Sequence, residues 1–139
     1  MKKMMCVIFV LIVLVAGNQK NNDFSLLDYF SGTYTAYTST SSGVDCVDLG
    51  FCYMNSKPTT KDVVGESMIL KNFEIGEAIK LLNARVVKTE YLEDGTTVIY
   101  AFTNLIDKKV QVEGKHVNIQ IAVHDEQTIV GWPLILGSF

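Results

Sequence analysis

Residues 117–123, VNIQIAV, alternate without error, and few folds can accommodate them. Val117, Ile119, Ile121 and Val123 point one way, while Asn118, Gln120, Ala122 and His124 point the other. That is a strand with one apolar face. It needs a sheet to join and a layer to cover it. The segment upstream supplies neighbours. ARVVKTEYL, residues 84–92, and TTVIYAFT, residues 96–103, are rich in β-branched and aromatic side chains. Asp94-Gly95 sits between them, a strong hairpin signal. Downstream, HDEQT turns the chain into IVGWPLIL, residues 129–136. Pro133 lacks a donor for a sheet ladder, so this last strand is expected at an edge or bulged at Pro133.

Further strands are expected over 33–38, 47–54 and 63–70, with a short one over 109–113. Pro58 fixes a loop over 55–62. One helix is expected over 73–83. Asn72 is its expected N-cap, Phe73, Ile75, Ala78, Ile79 and Leu82 form its apolar face, and its acidic residues precede Lys80. Gly76 inside it is explained by close packing on a sheet. A second, short amphipathic helix is expected over 23–30, capped by Asp23, with Phe24, Leu27 and Phe30 on one face. The order predicts an α+β fold, an antiparallel curved sheet with a helix packed on one face. At 139 residues there is room for one domain, 33–139, preceded by a spacer and short helix over 18–32.

The N-terminus points to a compartment. MKK precedes an unbroken apolar run over residues 4–17, and Val15-Ala16-Gly17 places small residues at its end. This is the pattern of an export signal or an N-terminal membrane anchor over residues 1–17. The run is shorter than the roughly 20 residues a bilayer span needs. Without Lys2 and Lys3, ten basic residues face fifteen acidic ones, a formal charge of −5. Nucleic-acid binders draw most of their affinity from basic residues on phosphates. The only basic cluster is Lys108-Lys109.

Chemistry-bearing residues are sparse. Cys46 and Cys52 are too few for a metal site, which wants three or four ligands at close spacing. A catalytic thiol would need a base and a lowered pKa. Two readings stay open. Export permits a Cys46–Cys52 disulfide. A continuous strand would separate the two Cα atoms by about 20 Å, beyond the roughly 7 Å a bridge allows. A turn at Asp48-Leu49-Gly50 would permit the bridge. Asp45, Asp48 and Glu66 lack the loop spacing of a calcium site. His116 and His124 are about 26 Å apart on an extended segment. Glu90, Glu93 and Asp94 are expected as solvated charges at a hairpin tip. No nucleophile elbow or phosphate loop occurs, and nothing implies a cofactor or metal. The polar face of 117–124, Asn118, Gln120 and His124, with Trp132 nearby, is the expected binding surface.

TEYLEDGTTVIYAFTNLI, VEGKHVNIQIAV and VGWPLILGSF together resemble the YwmB type, a family of exported Firmicutes proteins. The matching elements are the TTVIY hairpin, the strand Val117–Ala122 and the Gly131-Trp132-Pro133 core of the last strand. The resemblance covers roughly residues 63–139. It implies a TATA-box-binding-protein-like fold and an extracytoplasmic location, secreted or tethered by residues 4–17. The motifs are structural and carry little chemistry. The functional expectation is a non-enzymatic binding or assembly module of the cell envelope. Its partner would be an envelope protein or cell-wall component, with no nucleic acid and with membrane contact only through the N-terminus. The alternatives are a nucleic-acid-binding saddle, with Tyr100, Phe102 and Trp132 as its aromatics, and a hydrolase using scattered Asp, Glu and His.

Overall fold

The computed structural model describes residues 24–57 and 62–135. The expected signal or anchor, most of the spacer, Asp23 as a cap, Pro58 and Leu136 lie outside them. Nine strands and one short helix follow in order: β1 Gly32–Thr40, β2 Gly43–Cys52, β3 Val63–Lys71, α1 Ile75–Leu81, β4 Ala84–Tyr91, β5 Thr97–Thr103, β6 Val110–Val112, β7 Lys115–Val117, β8 Ile119–His124 and β9 Gln127–Trp132. Seven strands form one curved, unclosed antiparallel sheet in the order β2-β1-β3-β9-β8-β5-β4, and β6 and β7 form a separate hairpin. The class is α+β.

Both faces of the sheet are covered. Leu26, Leu27 and Phe30 pack on one face beside Ala78 and Leu82 of the helical region, against Tyr34, Met68, Ile99, Ile119, Ile121, Val130 and Trp132. The other face carries Tyr37, Val98, Tyr100 and Ile129. It is closed by Val110 and Val117 of the small hairpin and by Leu134 and Ile135 beyond β9. Burying apolar side chains on both faces is the main favourable term available to a sheet of this size.

Local chemistry explains most of the boundaries. Gly95 takes φ +92° at the β4–β5 turn, and the Thr96 amide donates to Asp94 Oδ1 at 2.9 Å, an Asx turn. The helix is shorter than 73–83. Asn72 is in the left-handed region at φ +54°, so it turns the chain and does not cap, and Glu74 precedes the first helical residue. At the other end Asn83 takes φ +50° just past the last turn, the position glycine more often fills. Gly76 faces open space, so close packing does not explain it. The segment expected as a helix over 23–30 is a single 3₁₀ turn, Leu26–Asp28, capped by Ser25. The two leucines inside so short a turn are held by burial, not by helix propensity.

Two further expectations change. Residues 117–123 are not one strand. Asn118 breaks the ladder, Val117 joins the hairpin cluster, and Ile119 and Ile121 join the opposite one. The last strand is not an edge. β9 lies between β3 and β8 at the centre of the sheet. It ends at Trp132, so Pro133 never needs to donate to the ladder. Beyond it the chain folds back across β9. Gly131 permits this crossing, because a Cβ there would lie 2.8 Å from Ile135 Cγ1.

Candidate functional site

The expected binding surface does not assemble. Asn118 is buried, and its amide ties the 104–109 connection to the sheet. Oδ1 accepts from the Thr103 amide at 2.8 Å, and Nδ2 donates to the carbonyls of Thr103 at 2.8 Å and Ile106 at 3.1 Å. Gln120 is buried too, with Oε1 accepting from the Ile135 amide at 2.7 Å. His124 is half-exposed at the end of β8. Its Nε2 lies 2.9 Å from the Asp94 carbonyl and its Nδ1 3.3 Å from Asp125 Oδ2. Trp132 is 1% exposed on the opposite face from Gln120. Side chains with all this buried work to do hold the fold together.

The cysteines occupy one strand. Cys46 pairs with Tyr37 and Cys52 with Gly32 along β1, and no disulfide joins them. The turn signal Asp48-Leu49-Gly50 makes a bulge and not a reversal. Gly50 takes φ +70°, its amide donates to Asp48 Oδ1 at 3.1 Å, and the register with β1 slips there.

Glu66, weighed in the sequence only as a calcium ligand, has a role that sequence reasoning missed. It sits in β3, directly across from Trp132 and Ala36, and is 3% exposed. Four donors close on its carboxylate. The Trp132 Nε1 donates to Oε1 at 2.6 Å and the Leu26 amide to Oε1 at 2.7 Å. The Ser25 hydroxyl donates to Oε2 at 2.8 Å, and the Tyr34 hydroxyl also donates to Oε2. Burial and then the Glu66 charge push the Tyr34 phenol far above its ordinary value. A carboxylate with both oxygens saturated and no opening to solvent offers nothing to a substrate. Its effect is to strap residues 24–31 to the middle of the sheet. One signal was available: an acid inside the otherwise apolar run VVGESMIL.

The remaining charges are structural. Lys88 reaches Glu90 at 3.2 Å and Glu113 on the small hairpin. Tyr100 donates to Glu90 Oε1 at 3.3 Å, and burial, reinforced by Glu90, pushes its phenol up to about 12. Lys108 is buried against the Val64 carbonyl at 3.3 Å, and that burial lowers its pKa. Asp45 and Asp48 are exposed on β2, near Glu66 in register but separated from it by the whole of β1, whose Ala36 pairs with Val47 on one side and with Glu66 on the other. Among the described residues no three His, Cys, Asp or Glu side chains come together as metal ligands.

Besides the β4 edge, where Val86 and Tyr91 are exposed on a strand that also carries Arg85 and Lys88, two surface features are left. One is a shallow depression of about 510 Å³, lined by Asn72, Phe73, Glu74, Ile75, Val123, Asp125, Glu126 and Thr128. The other is the β2 edge. Among the described residues β2 pairs only with β1, and its ten residues are mostly exposed. Phe51 is 60% exposed and the following Tyr53 73%, their rings 5.0 Å apart edge to face. Leu49 and Met54 are exposed beside them. An unpaired strand edge is a template for another strand, and exposed aromatics are what interfaces enrich.

Comparison with known proteins gives no match to any family model, curated protein or solved structure.

Proposed function

We propose that this chain is a non-enzymatic binding or assembly module of the cell envelope, placed outside the cytoplasm by its N-terminal segment. It engages its partner through the β2 edge. The observation that carries the binding role is that edge: a ten-residue strand paired on one side only among the described residues, with Phe51 near its end and Tyr53 just beyond it exposed. The MKK-led apolar run supports the location. The curved, unclosed antiparallel sheet and the YwmB-type motifs support a TATA-box-binding-protein-like fold. A nucleic-acid saddle is disfavoured, because a saddle needs an open concave face and both faces here are occupied. Among the described residues the hydrolase reading draws on the depression, which gathers Glu74, Asp125 and Glu126, while the Thr128 hydroxyl beside them donates to the Phe73 carbonyl at 3.0 Å.

The test is cell fractionation with intact mass measurement. Chain recovered outside the cytoplasm, cross-linked through benzoyl-phenylalanine at position 51 to an envelope component, supports the reading. Full-length chain confined to the cytoplasm refutes it.

A further inference from the structure

The chemistry of the β2 edge narrows what it accepts. The described hairpin formed by β1 and β2 carries Asp45 and Asp48 and no basic residue. The first lysine after the N-terminal region is Lys57. Sheet edges that avoid pairing are usually defended by lysine, proline or a bulge. Here the bulge at Gly50 interrupts the edge, but Gly43–Asp48 before it has neither lysine nor proline. These six residues form an open ladder bounded by the bulge, with the Phe51–Tyr53 pair just beyond it.

The same edge of a second copy fits poorly. Directly opposite residues of two antiparallel β2 edges share a face, so registers centred on Asp45 or on Asp48 set that aspartate against its own copy, and neither edge carries a basic residue to offset it. Like charges directly opposite destabilise a pair. Asp45 and Asp48 stand opposite Thr38 and Thr35 of β1, three residues apart and therefore on different faces of the sheet. An incoming strand meets one carboxylate on each side. Lysine or arginine on both of its faces would satisfy them, with an apolar residue beside Phe51 and Tyr53.

We propose that β2 receives a basic, extended segment of another protein as an eighth strand paired with Gly43–Asp48. This rests on the reading of β2 as the binding edge and adds the partner's conformation and charge. Main-chain hydrogen bonds would supply affinity and the two aspartates would select the partner.

The experiment uses the purified full-length chain and three synthetic octapeptides: a valine strand with two lysines three residues apart, and so one on each face, the same strand with glutamates in their place, and the lysine peptide with alternate backbone amides N-methylated. Binding is measured by fluorescence anisotropy, and the site is located by hydrogen exchange. The lysine peptide is expected to bind at least tenfold tighter than the glutamate peptide, to weaken with salt, and to lose binding on N-methylation. Amide protection should appear over residues 43–48. The double substitution Asp45→Asn, Asp48→Asn should abolish the charge preference while circular dichroism stays unchanged. Equal binding of the lysine and glutamate peptides overturns the proposal. So does binding that survives N-methylation, protection confined to the depression around Glu74 and Asp125, or a dimer in sedimentation that is lost on substituting Phe51. Such a failure leaves the envelope reading standing if fractionation still finds the chain outside the cytoplasm.

Discussion

Glu66 and the β2 edge lie two strands apart and treat their polar groups in opposite ways. At Glu66 both carboxylate oxygens are spent on four donors, and water is excluded. Along β2 no strand among the described residues pairs with the side turned away from β1, and the aromatics beside it face solvent. A polar group deep in a protein must find its partner within the chain, because none arrives later. A polar group at an edge can leave its partner to be supplied from outside. The difference separates residues that make this molecule fold from residues it has left available.

The widest gap between the two regions should appear on truncating Glu66. Glu66→Ala leaves four donors without an acceptor and is expected to cost about 4 kcal/mol, a large share of a typical domain's stability. Urea unfolding measures this, and limited proteolysis should then cut within residues 24–31. If Glu66→Ala keeps its midpoint, the strap is not held by the carboxylate. Asn118→Ala removes three buried hydrogen bonds and should cost about 2–3 kcal/mol in the same assay. A binding role for Asn118 would instead predict intact stability.

The buried phenol and the buried amine give opposite pH dependences. The Tyr100 phenol is raised in the fold from 10.0 to about 12. The unfolded chain therefore ionises first, and stability falls as pH rises from 10 to 12, by about 2 kcal/mol from this group. Tyr100→Phe should flatten that fall in alkaline urea titrations. Lys108 is lowered from 10.5 by burial. Just below pH 10.5 the unfolded chain holds more protons, so this group makes stability rise with pH up to that point. Lys108→Met should remove the rise and stabilise the protein at pH 7. The smallest effect on folding belongs to the edge. Phe51→Ser and Tyr53→Ser should each change stability by no more than about 0.5 kcal/mol, yet weaken capture of a partner strand at least tenfold.

Much of the architecture could be read from local chemistry. Asp94-Gly95 announced the β4–β5 hairpin, and the alternation of 119–123 announced an apolar face, because turn geometry and strand period are set by near neighbours. What escaped was set by distant ones. Asn118 looked like one more outward-facing polar residue until the carbonyls of Thr103 and Ile106 came to meet it. Trp132 and Pro133 looked like an edge because the sequence does not say that β3 lies on the far side of β9. Glu66 gave a signal, an acid inside an apolar strand, but its partners lie up to 66 residues away. The β2 edge was hidden for another reason. GVDCVDLGFC reads the same whether its second neighbour is a strand or solvent.

The strap has a mechanical consequence. The chain preceding Phe24 enters the fold at Ser25 and Leu26, which grip Glu66, and Phe24 itself packs edge-on against Trp132. Any tension arriving along that chain is therefore delivered to β3 and β9, the two middle strands, where several ladders share the load. The segment just past β2 is tied to the same strap, the Met54 amide donating to the Ser31 hydroxyl at 2.7 Å and the Asn55 amide to the Leu27 carbonyl at 2.6 Å. A domain hung in this way feels a pull from its N-terminal side at the centre of the sheet and at the end of its outermost strand together.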